Sequence, residues 1–144
     1  MESLTTLERA IRLQKVELFS ELETEQLALL ASIAQPVSLG AGDKLVEQNS
    51  SQTALYIVLN GGIEVRRDGN LMLTAVRDET IGNWAFFDEQ PSVVEAVAAE
   101  DSDLLKIERE DFFDLLADHR EMTRGLFQAL FHRLRTLLSA GLGG

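Results

Sequence analysis

Cysteine is absent from this 144-residue chain, which excludes a disulfide framework and thiolate metal sites and fits poorly with a stapled secreted scaffold. Long apolar runs are absent as well. The N-terminus alternates charge with apolar residues (Glu2, Glu8, Arg9, Arg12, Lys15), so neither a signal peptide nor a transmembrane helix is expected, and no membrane is expected as a partner. Basic residues are in the minority, 13 Lys and Arg against 24 Asp and Glu, for a net charge of −11. A surface of that sign repels the phosphate backbone that supplies most non-specific nucleic-acid affinity, so nucleic acid is not an expected partner either. These absences leave a cytoplasmic protein as the default.

Histidine is scarce too, and its placement matters. His119 and His132 both lie in the C-terminal part, where they read as helix-surface residues. A metal-binding jelly-roll enzyme needs His and Glu on strands facing the barrel interior, and no strand-like segment here contains His. Paired carboxylates are plentiful (Glu21 with Glu23, Asp101 with Asp103, Glu108 with Glu110). They fall in turns and helix starts, where acidic side chains are solvated and favour the N-terminal dipole. Ser50, Ser51 and Ser92 have no His and Asp at a suggestive spacing for nucleophilic catalysis. No catalytic residue, metal ligand or cofactor is therefore expected.

What the chain does contain is a change of periodicity. Leu4, Leu7 and Ile11 space residues 4–15 as a short amphipathic helix, and Leu27, Leu29, Leu30 and Ile33 do the same for 24–33. Pro36 stops the second helix. From Val37 to Glu108 the pattern shortens to runs with a period near two: Leu45–Val46, Leu55–Leu59, Ile63–Val65, Leu71–Val76, Val93–Val97 and Leu104–Ile107. Regularly spaced short strands predict a small jelly roll or barrel. Helical spacing returns over Asp111–Ala117 and from Glu121 to about Ser139, and Gly141 to Gly144 favour fraying. By length this is one domain over 1–144, with helices near 4–33, a roll near 35–108 and helices near 110–139.

Turn chemistry adds detail. Asn60-Gly61 carries the strongest two-residue hairpin signal, since both positions of such a turn take positive φ, and Asp68-Gly69-Asn70 predicts a second, longer turn. Asn49 suits a left-handed position, which Asn tolerates best after Gly. In the last helix Phe127, Phe131, Leu134 and Leu138 recur at spacings of four and three, beside a row of Leu126, Leu130 and Leu137. That stripe is wider than one packing face requires.

The stretch Ile81-Gly82-Asn83-Trp84-Ala85-Phe86-Phe87-Asp88-Glu89-Gln90-Pro91-Ser92 is flanked by Leu18-Phe19-Ser20-Glu21-Leu22, Gly42-Asp43-Lys44-Leu45 and Leu55 to Val65 before it, and Asp103 to Phe112 after it. In order and spacing these segments resemble the cyclic-nucleotide-binding domain family over roughly residues 10–138. The resemblance implies a mainly-β fold with flanking helices: a jelly-roll-like β-roll with N-terminal helices and a C-terminal helical lid. It also implies a phosphate-binding cassette, which in the family reads Gly-Glu, a small apolar run, then Arg after a Pro or similar turn residue. There the Glu accepts from a ribose hydroxyl and the Arg grips the cyclic phosphate as a fork.

Gly82 and Ala85 match that cassette, but Asn83 stands at the Glu position and Ser92 at the Arg position. The implied ligand set is thus degenerate (Gly82, Asn83, Trp84, Ala85, Ser92, Val93), and binding of cyclic AMP or cyclic GMP is expected to be weak or lost. A short helix starting near Asn83 would still aim N–H groups at an anion. Alternatively, Trp84, Phe86 or Phe87 plugs the barrel mouth.

The functional expectation is a non-catalytic regulatory or sensor module responding to a small-molecule ligand or a protein partner. The alternatives are a protein-interaction or dimerisation module with a closed pocket, and cyclic-nucleotide binding through unconventional contacts. The resemblance places the last helix over the pocket and, in the transcription-factor branch, at a subunit interface; a homodimer through Leu126, Phe127, Leu130, Phe131, Leu134, Leu137 and Leu138 is expected. A helix-turn-helix does not fit in the six residues after Leu138.

Overall fold

The computed structural model describes residues 4–141, apart from the side chain of Trp84. The fraying expected at the Gly-rich end falls largely on residues 142–144, outside the described part. Two compact units are present, residues 33–113 and residues 4–32 with 114–141.

The first unit is a β-roll of two four-stranded antiparallel sheets. One runs β1-β8-β3-β6, with β1 Gln35–Leu39, β8 Ser102–Glu108, β3 Ala54–Asn60 and β6 Thr80–Ile81. The other runs β2-β7-β4-β5, with β2 Lys44–Val46, β7 Glu95–Ala98, β4 Ile63–Arg67 and β5 Asn70–Ala75. A single helix, α3 (Asn83–Asp88), interrupts the strands between β6 and β7. The register Val58↔Leu104 and Tyr56↔Lys106 puts alternate residues of β3 and β8 on one face. There Ala54, Tyr56, Val58 and Leu104 pack with Val46, Ile63, Ala75, Ala96 and Ala98 of the second sheet. The intervening Leu55, Ile57, Leu105 and Ile107 are also buried, so β3 is an apolar run enclosed on both faces. Truncating such a side chain to Ala costs about 2–5 kcal/mol.

The turns differ from expectation in an instructive way. β3 and β4 belong to different sheets, so Asn60-Gly61 is not a hairpin, and Asn60 lacks the positive φ a hairpin turn would give it. Gly61 (φ 91°) is needed for another reason: a Cβ there would sit 2.2 Å from Ser102 Oγ and 2.7 Å from the Asp101 carbonyl oxygen. The tight hairpin is the other candidate. Arg67 pairs with Asn70 across β4 and β5, leaving Asp68 (φ 53°) and Gly69 (φ 82°) as a two-residue turn with both φ positive. Asn49 has φ 69°, as its tolerance of that region suggests. Pro36 lies inside β1, which sits at a sheet edge where a missing N–H is tolerated. β7 begins at Glu95 rather than Val93, and the two-residue β6 is too short to announce itself in the sequence.

The second unit is helical. α1 (Thr6–Gln14) starts with a reciprocal capping box between Thr5 and Glu8, a 3-10 turn follows at Glu17–Phe19, and α2 spans Thr24–Ile33. α4 (Arg109–Asp118) has its residues 109–113 in the first unit and 114–118 in the second, and α5 (Glu121–Gly141) ends the described chain. α5 packs through Met122, Gly125 and Ala129, all buried. A Cβ on Gly125 would lie 3.0 Å from the Glu21 carbonyl oxygen and from Leu22, so glycine permits the close approach. Arg133 adds an ion pair with Glu17. No helix among the described residues is long and apolar enough to cross a membrane.

Candidate functional site

β6 runs into α3 through Gly82, whose φ of 94° and 2.9 Å gap between an ideal Cβ and the Ala54 carbonyl oxygen exclude a side chain. Asn83 is exposed, and its amide nitrogen donates to Thr80 Oγ1 at 2.8 Å. Ala85 is buried; Trp84 lies in α3, with its side chain outside the described residues. The return loop pairs with an earlier loop: Asn49 N–H donates to the Ser92 carbonyl at 2.7 Å, and Ser92 N–H to the Ser50 carbonyl at 2.9 Å. Ser92 is 7% exposed, and its hydroxyl serves its own loop, donating to the Val94 carbonyl at 2.8 Å and accepting from Val94 N–H at 3.3 Å. Val93 points outward and is exposed. Gly82, Asn83 and Ala85 thus share α3 and its entry, while Ser92 and Val93 lie on the return loop.

Two groups that sequence reasoning did not single out hold α3 in place. Arg109, the first residue of α4, donates from Nη1 to the Ala85 carbonyl at 3.0 Å and the Gln52 carbonyl at 3.2 Å. Its Nε lies 3.7 Å from a Glu89 carboxylate oxygen. The guanidinium is a second donor to the Ala85 carbonyl, which also accepts from Glu89 N–H at 3.1 Å, and a cation at the end of a helix suits the local dipole. The second is an aromatic cluster. Phe86 is fully buried, with its ring centroid 5.2 Å from Phe112 and 6.2 Å from Phe113. Phe86 therefore packs on the rings of α4 and is not among the residues filling the space between the sheets. Phe87, the other described plug candidate, is partly exposed, at 43%. Only the β3–β8 pairing, invisible in the sequence, brings Arg109 beside Gln52 and Thr53.

The interior face of the first sheet also carries a polar row. Lys106 Nζ lies 2.9 Å from Glu108 Oε1, and Thr53 Oγ1 donates to Glu108 Oε2 at 2.9 Å. The hydrogen bond to Glu108 is the main reason the Lys106 pKa is raised. Burial pushes the Glu108 carboxyl upward, but the hydrogen bonds from Lys106 and Thr53 and the charges of Lys106 and Arg109 outweigh it, so the net direction is down. Burial is the main reason the Tyr56 hydroxyl pKa is raised.

In the second unit, α5 leaves its apolar rows open. Phe127, Leu130, Phe131, Leu134, Leu137 and Leu138 are all exposed, and only Leu126 of the expected set is half-buried. His132 is exposed on the same helix, and His119 sits between α4 and α5 with Nδ1 3.6 Å from Glu121. Among the described residues no group of His, Cys, Asp and Glu is arranged to hold a metal ion.

Two antiparallel sheets rolled together, with a left-handed glycine leading into a short helix and a return loop, define a β-roll with flanking helices. The chain belongs to the cyclic nucleotide-binding domain family, whose sequence profile matches residues 36–119. It is 25% identical over 128 residues to the CRP-like cAMP-activated global transcriptional regulator of Mycobacterium tuberculosis, covering 85% of this chain and 57% of that protein. The chain therefore spans little more than half the length of that relative. Among solved structures, it is similar to the N-terminal domain of a transcriptional regulator from Streptomyces coelicolor A3(2), at 29% identity and a TM-score of 0.79 over 89% of this chain and 92% of that one. The catabolite activator protein of Thermus thermophilus is similar at 29% identity and a TM-score of 0.71, over 88% of this chain and 62% of that one. By name these relatives are regulators.

Proposed function

We propose that this chain is a non-catalytic regulatory module whose cassette has lost the side-chain pair that reads cyclic AMP or cyclic GMP, and that it works as a homodimer through α5. One observation carries the first half of this reading. Where the family places a carboxylate and a guanidinium, this chain has uncharged side chains already bonded to their own surroundings, Asn83 to Thr80 and Ser92 to Val94. Arg109 does reach the cassette, but its Nη1 is engaged by the carbonyls of Ala85 and Gln52.

Losing one member of a buried charged pair costs about 2–5 kcal/mol, roughly 30-fold to several-thousand-fold in affinity. A micromolar ligand would move toward millimolar. Calorimetry with cyclic AMP and cyclic GMP tests this on the native chain and on the double variant Asn83→Glu with Ser92→Arg. Weak or absent binding by the native chain, with binding regained in the variant, is the expected result. Tight binding by the native chain refutes it and favours unconventional contacts. The buried Phe86, which ties α3 to α4, favours a closed-pocket interaction module as the second reading, and binding by neither protein would select it.

A further inference from the structure

The first unit displays an aromatic pair that its own packing does not require. Phe87 and Phe113 are each 43% exposed, with ring centroids 6.3 Å apart at an interplanar angle of 86°. Both rest on buried rings. Phe87 lies 5.0 Å from Phe86 and 6.1 Å from Phe112, and Phe113 lies 5.4 Å from Phe112 and 6.2 Å from Phe86. An exposed ring fixed from beneath has little conformational entropy left to lose on binding, which is what an interface anchor needs.

The surround is acidic. Asp88 and Glu89 follow Phe87 and Glu110 and Asp111 precede Phe113, all four exposed. Arg109 joins the two sides, through its 3.7 Å approach to Glu89 and as part of a cavity of about 280 Å³ lined by Thr53, Glu108, Arg109, Glu110 and Asp111. The cations nearby are already engaged, Lys106 by Glu108 and Arg109 by Glu89 and two carbonyls. The exposed carboxylates of Glu110 and Asp111 have no ion pair among the described residues. The cavity therefore repels anions and suits the head of a Lys or Arg.

We propose that this face docks a basic amphipathic segment of a partner protein. Apolar side chains of the segment pack on Phe87 and Phe113 while a neighbouring Lys or Arg enters the cavity between Glu108, Glu110 and Asp111. Charge complementarity selects this partner: aromatic anchors inside a carboxylate rim match a helix with apolar residues three or four apart and basic residues between. The net charge of −11 steers the encounter in the same sense. The inference is independent of what the cassette binds, since it uses the outward side of Phe87 and the start of α4.

The test titrates the isotopically labelled full chain with a synthetic amphipathic Leu/Lys peptide of about 18 residues, long enough to form helix. A Leu/Glu peptide of the same pattern is the control. Amide shifts confined to α3 and residues 109–113 are expected, with micromolar affinity for the Leu/Lys peptide and none for its control. Phe87→Ser with Phe113→Ser, and separately Glu110→Lys with Asp111→Lys, are each expected to weaken binding at least about tenfold, the scale of an interface anchor. Circular dichroism checks that these surface variants remain folded. Shifts spread over the whole acidic surface or centred on α5, equal binding of both peptides, no binding, or unchanged affinity in the Phe variant would each overturn the proposal.

Discussion

If α5 joins two copies of this chain, replacing Leu130 and Leu137 with Glu should release folded monomers. Leu130 is 53% and Leu137 57% exposed, so roughly half of each side chain remains to be covered by a partner. Full burial of a Leu is worth about 1.5–3 kcal/mol, so each half-exposed Leu contributes about 1 kcal/mol on association. A two-fold interface uses every residue twice. The four leucines together then account for about 4 kcal/mol, close to a thousandfold in the dimer dissociation constant, before the cost of desolvating the new carboxylates is counted. Sedimentation velocity over a concentration series reads the shift directly, and unchanged circular dichroism shows that the helix persists. An unmodified protein that already sediments as a monomer at tens of micromolar, about the range where a modest interface persists, refutes the reasoning.

Three further outcomes follow from the geometry. Calorimetry is expected to show millimolar or weaker cyclic-nucleotide binding by the native chain. Gly61→Ala is expected to destabilise more than Gly69→Ala in denaturant melts: both have positive φ, but only Gly61 would press its Cβ on Ser102 and Asp101, while nothing lies within 4 Å of Gly69; equal losses would contradict this. Glu108 has a lowered folded-state pKa, so its contribution is present above the ordinary glutamate value of 4.5 and is lost as pH falls through the folded value. The stability advantage of the native chain over Glu108→Gln is thus expected to hold near neutral pH and shrink on acidification, and an advantage that grows toward low pH would refute the assignment.

The helices and most strands were legible because their signals are local. Leu27, Leu30 and Ala31 repeat at helical spacing, and the short run from Leu55 to Leu59, bounded by Asn60-Gly61, marks a strand, although its burial on both faces departs from the expected period near two. The Asn60-Gly61 signal misled because its local chemistry is shared by hairpins and by corners where the chain changes sheets; the partner that decides, Ser102, lies 41 residues away from Gly61. Asn83 and Ser92, on which the proposed loss of binding rests, could be read directly, since they are residue identities. What holds the cassette could not. Arg109 looks like an ordinary helix-start residue until the pairing of Ala54 with Glu108 brings the end of β8 beside Gln52 and Thr53. Phe112 and Phe113 likewise carry a helical signal that says nothing about rings on α3.

Under the proposed reading, the same separation lets a cassette lose ligand-reading groups while the roll persists. The scaffold's demands at this site are met by Gly82, which must lack a side chain, by Ala85 and Phe86, which are buried, and by Arg109, which holds the end of α3. Asn83 and Ser92 meet none of these demands. An Arg at the nearly buried position of Ser92 would have to be desolvated, and without a phosphate or carboxylate to pair with it that desolvation is unfavourable by several kcal/mol. Ser avoids this: its hydroxyl is satisfied by Val94 whether or not the pocket is filled. A cassette with Arg is therefore stabilised by its ligand, and under the proposed reading the present one is indifferent to it. The double variant Asn83→Glu with Ser92→Arg is accordingly expected to be less stable than the native chain when empty and to regain stability only as cyclic nucleotide is added, so that the ligand dependence of stability, rather than affinity alone, reveals whether these two positions carry the switch.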